Sequence, residues 1–107
     1  MSFAIVASLM GAAQAQDFVV CPSRSHDVVG QIYLFDGPPE ELVYLAPDDS
    51  SGASNYYSIG SIYDSGRFVT VRCKYKGGAI VDVQLKSRAK SCTFQDEKEG
   101  YGNLRCR

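Results

Sequence analysis

The sequence predicts a mainly β domain, either a small antiparallel β-sandwich or a barrel-like fold, that is held together by two disulfides. Apolar and polar residues alternate with a period of two along most of the chain, and turn residues interrupt the pattern often. No stretch after residue 15 keeps a helical apolar stripe over three turns. Four cysteines in a chain that we expect to be exported favour disulfides over free thiols.

Residues 1–15 are predicted to be a secretory signal peptide. The segment has no charge, an apolar stretch from Phe3 to Ala13, and the small-residue cleavage pattern Ala13-Gln14-Ala15. Its apolar stretch is shorter than the ~20 residues that a membrane-spanning helix needs. We therefore expect cleavage after Ala15, one mature domain over residues 16–107, and no membrane association after cleavage. A buried terminal strand or helix is the alternative, and the missing basic residues near Met1 leave open a start further upstream.

Eight segments of the mature chain have the alternation and flanking turns of β-strands. The segment Asp36-Gly37-Pro38-Pro39 ends one of them, because proline cannot donate a hydrogen bond to a sheet. Residues 40–45 could instead begin a short helix with two glutamates near its positive end, but we prefer a strand. The predicted strands cover residues 18–20, 28–35, 41–45, 56–63, 67–75, 79–86, 91–95 and 101–106.

The stretch from residue 67 to residue 86 predicts a hairpin whose register depends on its loop. A two-residue loop would pair Cys73 with Asp82 and mix buried with exposed positions. A three-residue loop, with glycine in the left-handed conformation, aligns the apolar residues of both strands and is therefore expected. It pairs Tyr75 with Ala79, Cys73 with Val81, Val71 with Val83, and Val69 with Leu85.

The last hairpin predicts one disulfide. A turn near Glu99 aligns Phe94 with Leu104 and Cys92 with Cys106. Directly opposed positions on neighbouring strands lie at a separation that a disulfide can bridge. We therefore expect Cys92 to bond with Cys106.

This pairing leaves Cys21 with Cys73 for the second bond. Four cysteines allow three connectivities, and the sequence alone does not exclude the other two. Zinc is not expected, since no Cys-x-x-Cys pair occurs and His26 is the only histidine.

No catalytic constellation stands out, so we expect a protein that is not an enzyme and has no cofactor or metal. His26 lies near serines and an aspartate, but adjacent residues of a strand point to opposite faces and do not converge. We interpret it as a surface or turn histidine. The acidic pairs Asp48-Asp49 and Glu40-Glu41 are interpreted as solvated turn residues.

Charge is distributed unevenly along the chain. Residues 16–66 contain eight acidic residues and one basic residue, whereas residues 67–107 contain four acidic and ten basic residues. Mutual neutralisation within the sheets is the preferred interpretation, and a polarised surface that steers a charged partner is the alternative. A net charge of −1 without a basic cluster argues against nucleic acid as a partner.

The most promising recognition segment is the polar loop from Asp48 to Tyr57. Seven tyrosines occur in the chain, and tyrosine is enriched in interfaces because it combines a large stiff surface with a polar tip. Tyr57 and Tyr56 should lie on opposite faces of their strand, so that one of them belongs to the core. The alternative is that the tyrosines are simply strand-forming residues of a small sandwich. The predicted partner contacts are Asp48, Asp49, Tyr56 and Tyr57.

Several motifs within residues 31–107 resemble a family of small exported proteins of Gram-negative bacteria that are encoded beside type VI secretion effectors. The resemblance is carried by FDGPPEELVYLAPD, by YYSIGSIYDSGRFVTVRCKY and by SCTFQDEKEGYGNLRC. Within them, the most specific features are the D-G-x-P-x-E turn at Asp36 to Glu41, Leu45-x-Pro47, the C-x-Y of Cys73 to Tyr75, and the paired cysteines at the end.

The resemblance implies a periplasmic immunity protein that binds a secreted cell-wall enzyme, including effectors with an L,D-transpeptidase-like fold. The implied mechanism is occlusion of the effector's active site. A periplasmic lysozyme inhibitor, or an envelope- or polysaccharide-binding module without a toxin partner, is the alternative. The oligomeric state is not predicted.

Overall fold

The computed structural model describes residues 17–52, 54–96 and 102–107. Residues 1–16 lie outside these ranges, as does the turn near Glu99, so the signal peptide stays a prediction. A 3-10 helix at Pro39–Glu41 and helix α1 at Gly60–Asp64 interrupt the strands. The strands are β1 (Phe18–Val19), β2 (Val29–Asp36), β3 (Asp49–Ser51), β4 (Ser54–Ser58), β5 (Val69–Tyr75), β6 (Ile80–Leu85), β7 (Ser91–Asp96) and β8 (Gly102–Cys106).

The described strands form two antiparallel sheets, which confirms the mainly β class. One sheet has five strands in the order β1-β8-β7-β4-β3, and the other has three in the order β2-β5-β6. The sheets remain separate and pack as a sandwich, so the barrel-like alternative does not apply. No helix in the described ranges is both long and apolar enough for a bilayer crossing.

The hairpin of β5 and β6 has the predicted register. Cys73 pairs with Val81 and Val71 pairs with Val83. The Tyr75 N–H donates to the Ala79 carbonyl over 2.9 Å, which closes the three-residue loop. Gly78 has a φ of +104°, a conformation that glycine adopts without strain.

The core lies between the two sheets. β5 is the central strand of its sheet and buries every second residue completely, with Val69, Val71 and Cys73 all at 0 % exposure. Tyr57, Phe94 and Leu104 face it from the five-stranded sheet and belong to the same cluster of buried side chains. Each buried aliphatic or aromatic side chain of this kind contributes about 1.5–3 kcal/mol to folding.

Both predicted disulfides are present. Cys92 and Cys106 are opposed on β7 and β8, with their Cα atoms 4.0 Å apart. Cys21 follows β1 and bonds to Cys73 on β5. The first disulfide therefore joins neighbouring strands of one sheet, whereas the second joins one sheet to the other.

The prediction of a strand over residues 41–45 was wrong. The 3-10 helix takes up the start of this segment, with Pro39 in its first turn, where proline is favoured. Leu42 then adopts a left-handed conformation, which ends the 3-10 helix. Only Tyr44 returns to the sheet, as a single bridge to Phe35.

The predicted strand over residues 56–63 was also too long, and β3 was missed. β4 ends at Ser58, because the N–H groups of Ile59 and Gly60 both donate to the Lys90 carbonyl and turn the chain into α1. Tyr63 thus lies on a helix, where its hydroxyl donates to the Leu85 carbonyl over 2.7 Å. The segment before β4 forms a hairpin with it, so the predicted polar loop is largely β-structure.

The acidic and basic halves of the chain neutralise each other in part, as expected. Four ion pairs among the described residues join an acidic residue of the first half to a basic residue of the second. They are Arg67 with Asp36, Arg67 with Glu41, Arg88 with Asp64, and Arg107 with Asp17.

Candidate partner-binding surface

The hairpin of β3 and β4 places two of the four predicted contact residues, Asp49 and Tyr56, side by side on one outer face. Asp49 pairs with Tyr56, Tyr56 pairs with Thr93, and Thr93 pairs with Arg105. Directly paired residues of a sheet share one face. Asp49, Tyr56, Thr93 and Arg105 therefore form a row across four strands, on the face turned away from the core, which we call the outer row.

The outer row is polar and has opposite charges at its two ends. Asp49 lies on the edge strand β3, whereas Arg105 lies on β8 beside Arg107, which is 3.6 Å from Asp17. A shallow groove of about 300 Å³ runs along Tyr56, Thr93 and Arg105. Tyr56 is 42 % exposed and is the aromatic residue of the outer row. Such a face can form many hydrogen bonds with another protein. It does not surround a pocket of the kind in which small substrates are bound.

Asp48 supports the hairpin. Its carboxylate accepts the N–H of Ser58 over 2.6 Å, and its own N–H donates to the Tyr56 carbonyl over 2.7 Å. Both bonds hold the base of the hairpin closed. The Asp48 side chain is exposed. Its hydrogen bond to Ser58 nevertheless gives it a structural role at the base of the hairpin.

Tyr57 belongs to the core, with 6 % of its surface exposed. Burial raises the pKa of its hydroxyl. The ring lines a cleft of about 600 Å³ between the sheets, together with Ile32 of β2 and Phe94 of β7. Tyr56 and Tyr57 thus do lie on opposite faces, and the structure brings only Asp49 and Tyr56 together on the outer row.

The tip of the hairpin is narrow and locally braced. The Ser50 hydroxyl donates to the Asn55 side-chain oxygen over 2.7 Å, which links the two strands beside the turn. Gly52 has a φ of +58°, and no atom would come within 4 Å of a Cβ added there. The tip therefore presents small side chains to open space.

A second exposed feature follows β2, in the turn that carries the D-G-x-P-x-E pattern. Arg67 Nε donates to Asp36 over 2.6 Å, and Arg67 Nη2 donates to Glu41 over 2.7 Å. These hydrogen bonds, to Asp36 first and then to Glu41, raise the pKa of the Arg67 guanidinium. The Thr70 hydroxyl adds a buried bond of 2.9 Å to the Gly37 carbonyl. The turn is thus fixed at both ends.

Three consecutive apolar residues project from the end of this turn. Leu42 is 65 % exposed, Val43 45 % and Tyr44 55 %. We call them the turn patch. Tyr44 packs beside Phe35 and Tyr33, with ring centroids 4.7 Å and 5.8 Å away. Sequence reasoning missed this surface because a run of apolar residues is also typical of a buried strand.

Groups with catalytic potential are spread apart in the described structure. His26 is exposed in a turn between Arg24 and Asp27, as expected for a turn histidine. Within residues 17–52, 54–96 and 102–107, no three His, Cys, Asp or Glu residues come together in a way that could hold a metal ion.

The structure is thus a small β-sandwich with two disulfides, a hydrogen-bonded hairpin, a polar sheet face and an exposed apolar turn. Residues 24–107 match the family model described as Type VI secretion system Tli immunity protein, and the chain belongs to this family. Membership implies a cognate effector as partner, and it suggests a protein that acts by binding. No curated protein and no solved structure gave a significant match.

Proposed function

We propose that this chain is a periplasmic immunity protein that binds a cell-wall-targeting type VI effector with an L,D-transpeptidase-like fold and blocks its active cleft. Family membership supports the immunity class, and the motifs within residues 31–107 support the type of effector. The observation that carries the mechanism is the braced hairpin of β3 and β4, with Asp49 and Tyr56 on its outer side.

The hairpin suits contact with a cleft because β3 is the edge strand of its sheet and is hydrogen-bonded to β4 along its length. Its tip carries small residues, its base is closed by Asp48, and β4 is paired along its length with β7. A segment that is already ordered loses little conformational entropy on binding, so more of its contact energy appears as affinity. Asp49 would supply a hydrogen-bond acceptor at the mouth of the cleft, and Tyr56 a stiff aromatic surface.

The remaining outer row would supply the area that a stable complex needs. A specific interface buries about 800 Å² on each partner, which is more than a hairpin tip offers. Thr93 and Arg105 extend the surface of Tyr56 across two further strands. Arg105 would favour an acidic group on the effector at this end of the interface.

Two features support the periplasm as the location. The two disulfides fit an oxidising compartment, and the predicted signal peptide would direct export. Both leave the identity of the effector open to experiment.

Protection of cells tests the proposal. A type VI effector with an L,D-transpeptidase-like fold would be directed to the periplasm of a test strain, with and without the present chain. Growth should be restored by the wild type and lost with the double variant Asp49→Ala, Tyr56→Ala. The matched control is Ile80→Ala with Gln84→Ala, which removes exposed side chains from β6 in the other sheet and should protect fully. Full protection by the Asp49, Tyr56 variant would contradict the role of the hairpin, and lysis with the wild type would contradict the function.

The exposed Tyr56 beside the polar groove also suits stacking against a sugar ring, as in the alternative of a lysozyme inhibitor or polysaccharide-binding module. Inhibition of lysozyme by the purified protein, or its retention on peptidoglycan without any effector, would favour that function.

A further inference from the structure

The turn patch is an unusual surface for a small soluble protein. Leu42, Val43 and Tyr44 are consecutive, and each is exposed by 45 % or more. A run of three exposed apolar residues lowers solubility and is expected only where a function requires it. Single exposed apolar side chains, such as Ile80, need no such explanation.

The backbone of the turn patch is strained. Leu42 has φ and ψ of 58° and 33°, the left-handed conformation that glycine and asparagine adopt readily and that branched apolar residues avoid. Leu42 ends the 3-10 helix, and glycine is preferred at such a position because it adopts the left-handed conformation without strain. A leucine with most of its side chain in solvent gains little from burial to offset this strain. Strain of this type, held by its surroundings, is common at binding sites.

The surroundings hold the patch in a single conformation. Arg67 bonds both Asp36 and Glu41, on either side of the prolines. On the other side of Leu42, the N–H of Asp36 donates to the Val43 carbonyl over 2.9 Å. The patch is therefore organised before any partner arrives, which lowers the entropy lost on binding.

The patch lies close enough to the hairpin to share its partner. Four residues lie between Tyr44 and Asp49, so their Cα atoms are at most about 18 Å apart when the chain is fully extended. An interface of standard size, about 800 Å² per partner, covers such a distance. One protein surface can therefore contact both features together.

We propose that the turn patch is a second anchor for the cognate effector, in which Leu42 and Val43 enter an apolar depression bordered by a basic residue. The basic residue would face Glu40, which is exposed and forms no ion pair within 4 Å among the described residues, although Arg72 of the same chain attracts it at longer range. This inference rests on the proposed function for the identity of the partner. The partner's chemistry is an apolar protein pocket with a cationic rim.

Two other occupants, an anionic membrane surface and a second copy of this chain, are outcomes of the test. The charge around the patch does not separate them from the effector, because Arg67 pairs with Glu41, and Arg72 and Lys74 lie over the Phe35 and Tyr33 rings that Tyr44 contacts.

The test uses Leu42→Gly in the oxidised mature chain and measures its affinity for the purified effector. Glycine removes the side chain and fits the left-handed conformation, so the melting temperature should stay the same or rise. Affinity should fall at least tenfold, and Val43→Ser should weaken it further. Ile80→Ser, at an exposed aliphatic position on β6, is the matched control and should change affinity less than twofold.

Each outcome separates this inference from the proposed function. Wild-type affinity for Leu42→Gly would overturn the anchor while leaving the hairpin intact. Weak binding by Leu42→Gly with normal binding by the Asp49, Tyr56 variant would support the anchor and contradict the hairpin. Failure of the wild type to bind the effector would contradict both. A wild-type dimer, or binding to phosphatidylglycerol vesicles, that Leu42→Gly abolishes would assign the patch to another occupant and overturn the proposal.

Discussion

Cys21 and Cys73 connect the two sheets of the sandwich, with their Cα atoms 5.9 Å apart. Cys21 follows the short edge strand β1, whereas Cys73 lies at the centre of β5 and is fully buried. The bond spans 52 residues, compared with 14 for the bond between Cys92 and Cys106. The two disulfides therefore constrain the unfolded chain to different extents.

Removal of the longer link should cost more stability. In the chain-entropy model, loss of the bond between Cys21 and Cys73 lowers the free energy of unfolding by about 4 kcal/mol, and loss of the Cys92–Cys106 bond by about 3 kcal/mol. Urea unfolding of the two double Cys→Ala variants measures both values. A larger loss for the Cys92, Cys106 variant would show that the loop-length argument fails here.

The two adjacent tyrosines of β4 should behave differently. Tyr57→Ala removes a ring from the core and should lower the free energy of unfolding by about 3 kcal/mol. Tyr56→Ala removes an exposed ring and should change it by less than about 1 kcal/mol, while weakening effector binding. Thermal unfolding and calorimetric titration separate the two effects. Equal losses of stability would mean that the assignment of faces in β4 is wrong.

Arg67→Ala should loosen the turn without unfolding the domain. The ion pairs of Arg67 with Asp36 and Glu41 are exposed, and pairs of this kind contribute little to global stability. Locally, however, we expect the backbone hydrogen bonds of the Leu42 and Asp36 N–H groups to require the turn conformation that the Arg67 ion pairs maintain. Their amide hydrogen exchange should become faster, while exchange in β5 is unchanged. Unchanged exchange at Leu42 would show that the prolines alone fix the turn.

Low pH should reduce the contribution of Asp82 to the free energy of unfolding. Hydrogen bonds from Arg72, at 2.8 Å and 3.0 Å, lower the pKa of the Asp82 carboxyl group, and partial burial opposes them. Because the pKa is lower in the folded state, the stabilisation is present above the ordinary pKa and is lost as pH falls through the folded one. The difference in the free energy of unfolding between the wild type and Asp82→Asn should thus be largest at neutral pH and decrease below about pH 4. Urea unfolding across this range measures it, and a constant difference would contradict the assignment.

The parts of the fold that the sequence predicted are those in which a local pattern has one consistent register. The hairpin of β5 and β6 alternates on both strands, so only the three-residue loop keeps Val71 opposite Val83. The same reasoning placed Cys92 opposite Cys106. An alternating pattern specifies which residues pair across two strands when the two strands are close in sequence.

The missed features depend on contacts between distant residues. β3 has no apolar residue, and its pairing depends on β4, which is itself held by β7. Leu42 follows Glu41, which is held by Arg67, a residue 26 positions away along the chain. Local propensity holds no information about such contacts. The alternation of β4 predicted that Tyr56 and Tyr57 lie on opposite faces, but only the structure shows that Tyr57 is the buried one.

The central claim is that this chain neutralises a wall-modifying effector by binding over its active cleft. The most direct measurement is the activity of the purified effector on peptidoglycan as the oxidised mature chain is added in increasing amounts. The account predicts that activity falls to zero near one equivalent, and that a substrate fragment occupying the cleft competes with binding. Full activity in the presence of excess chain, or a complex that forms while the effector remains active, would contradict it.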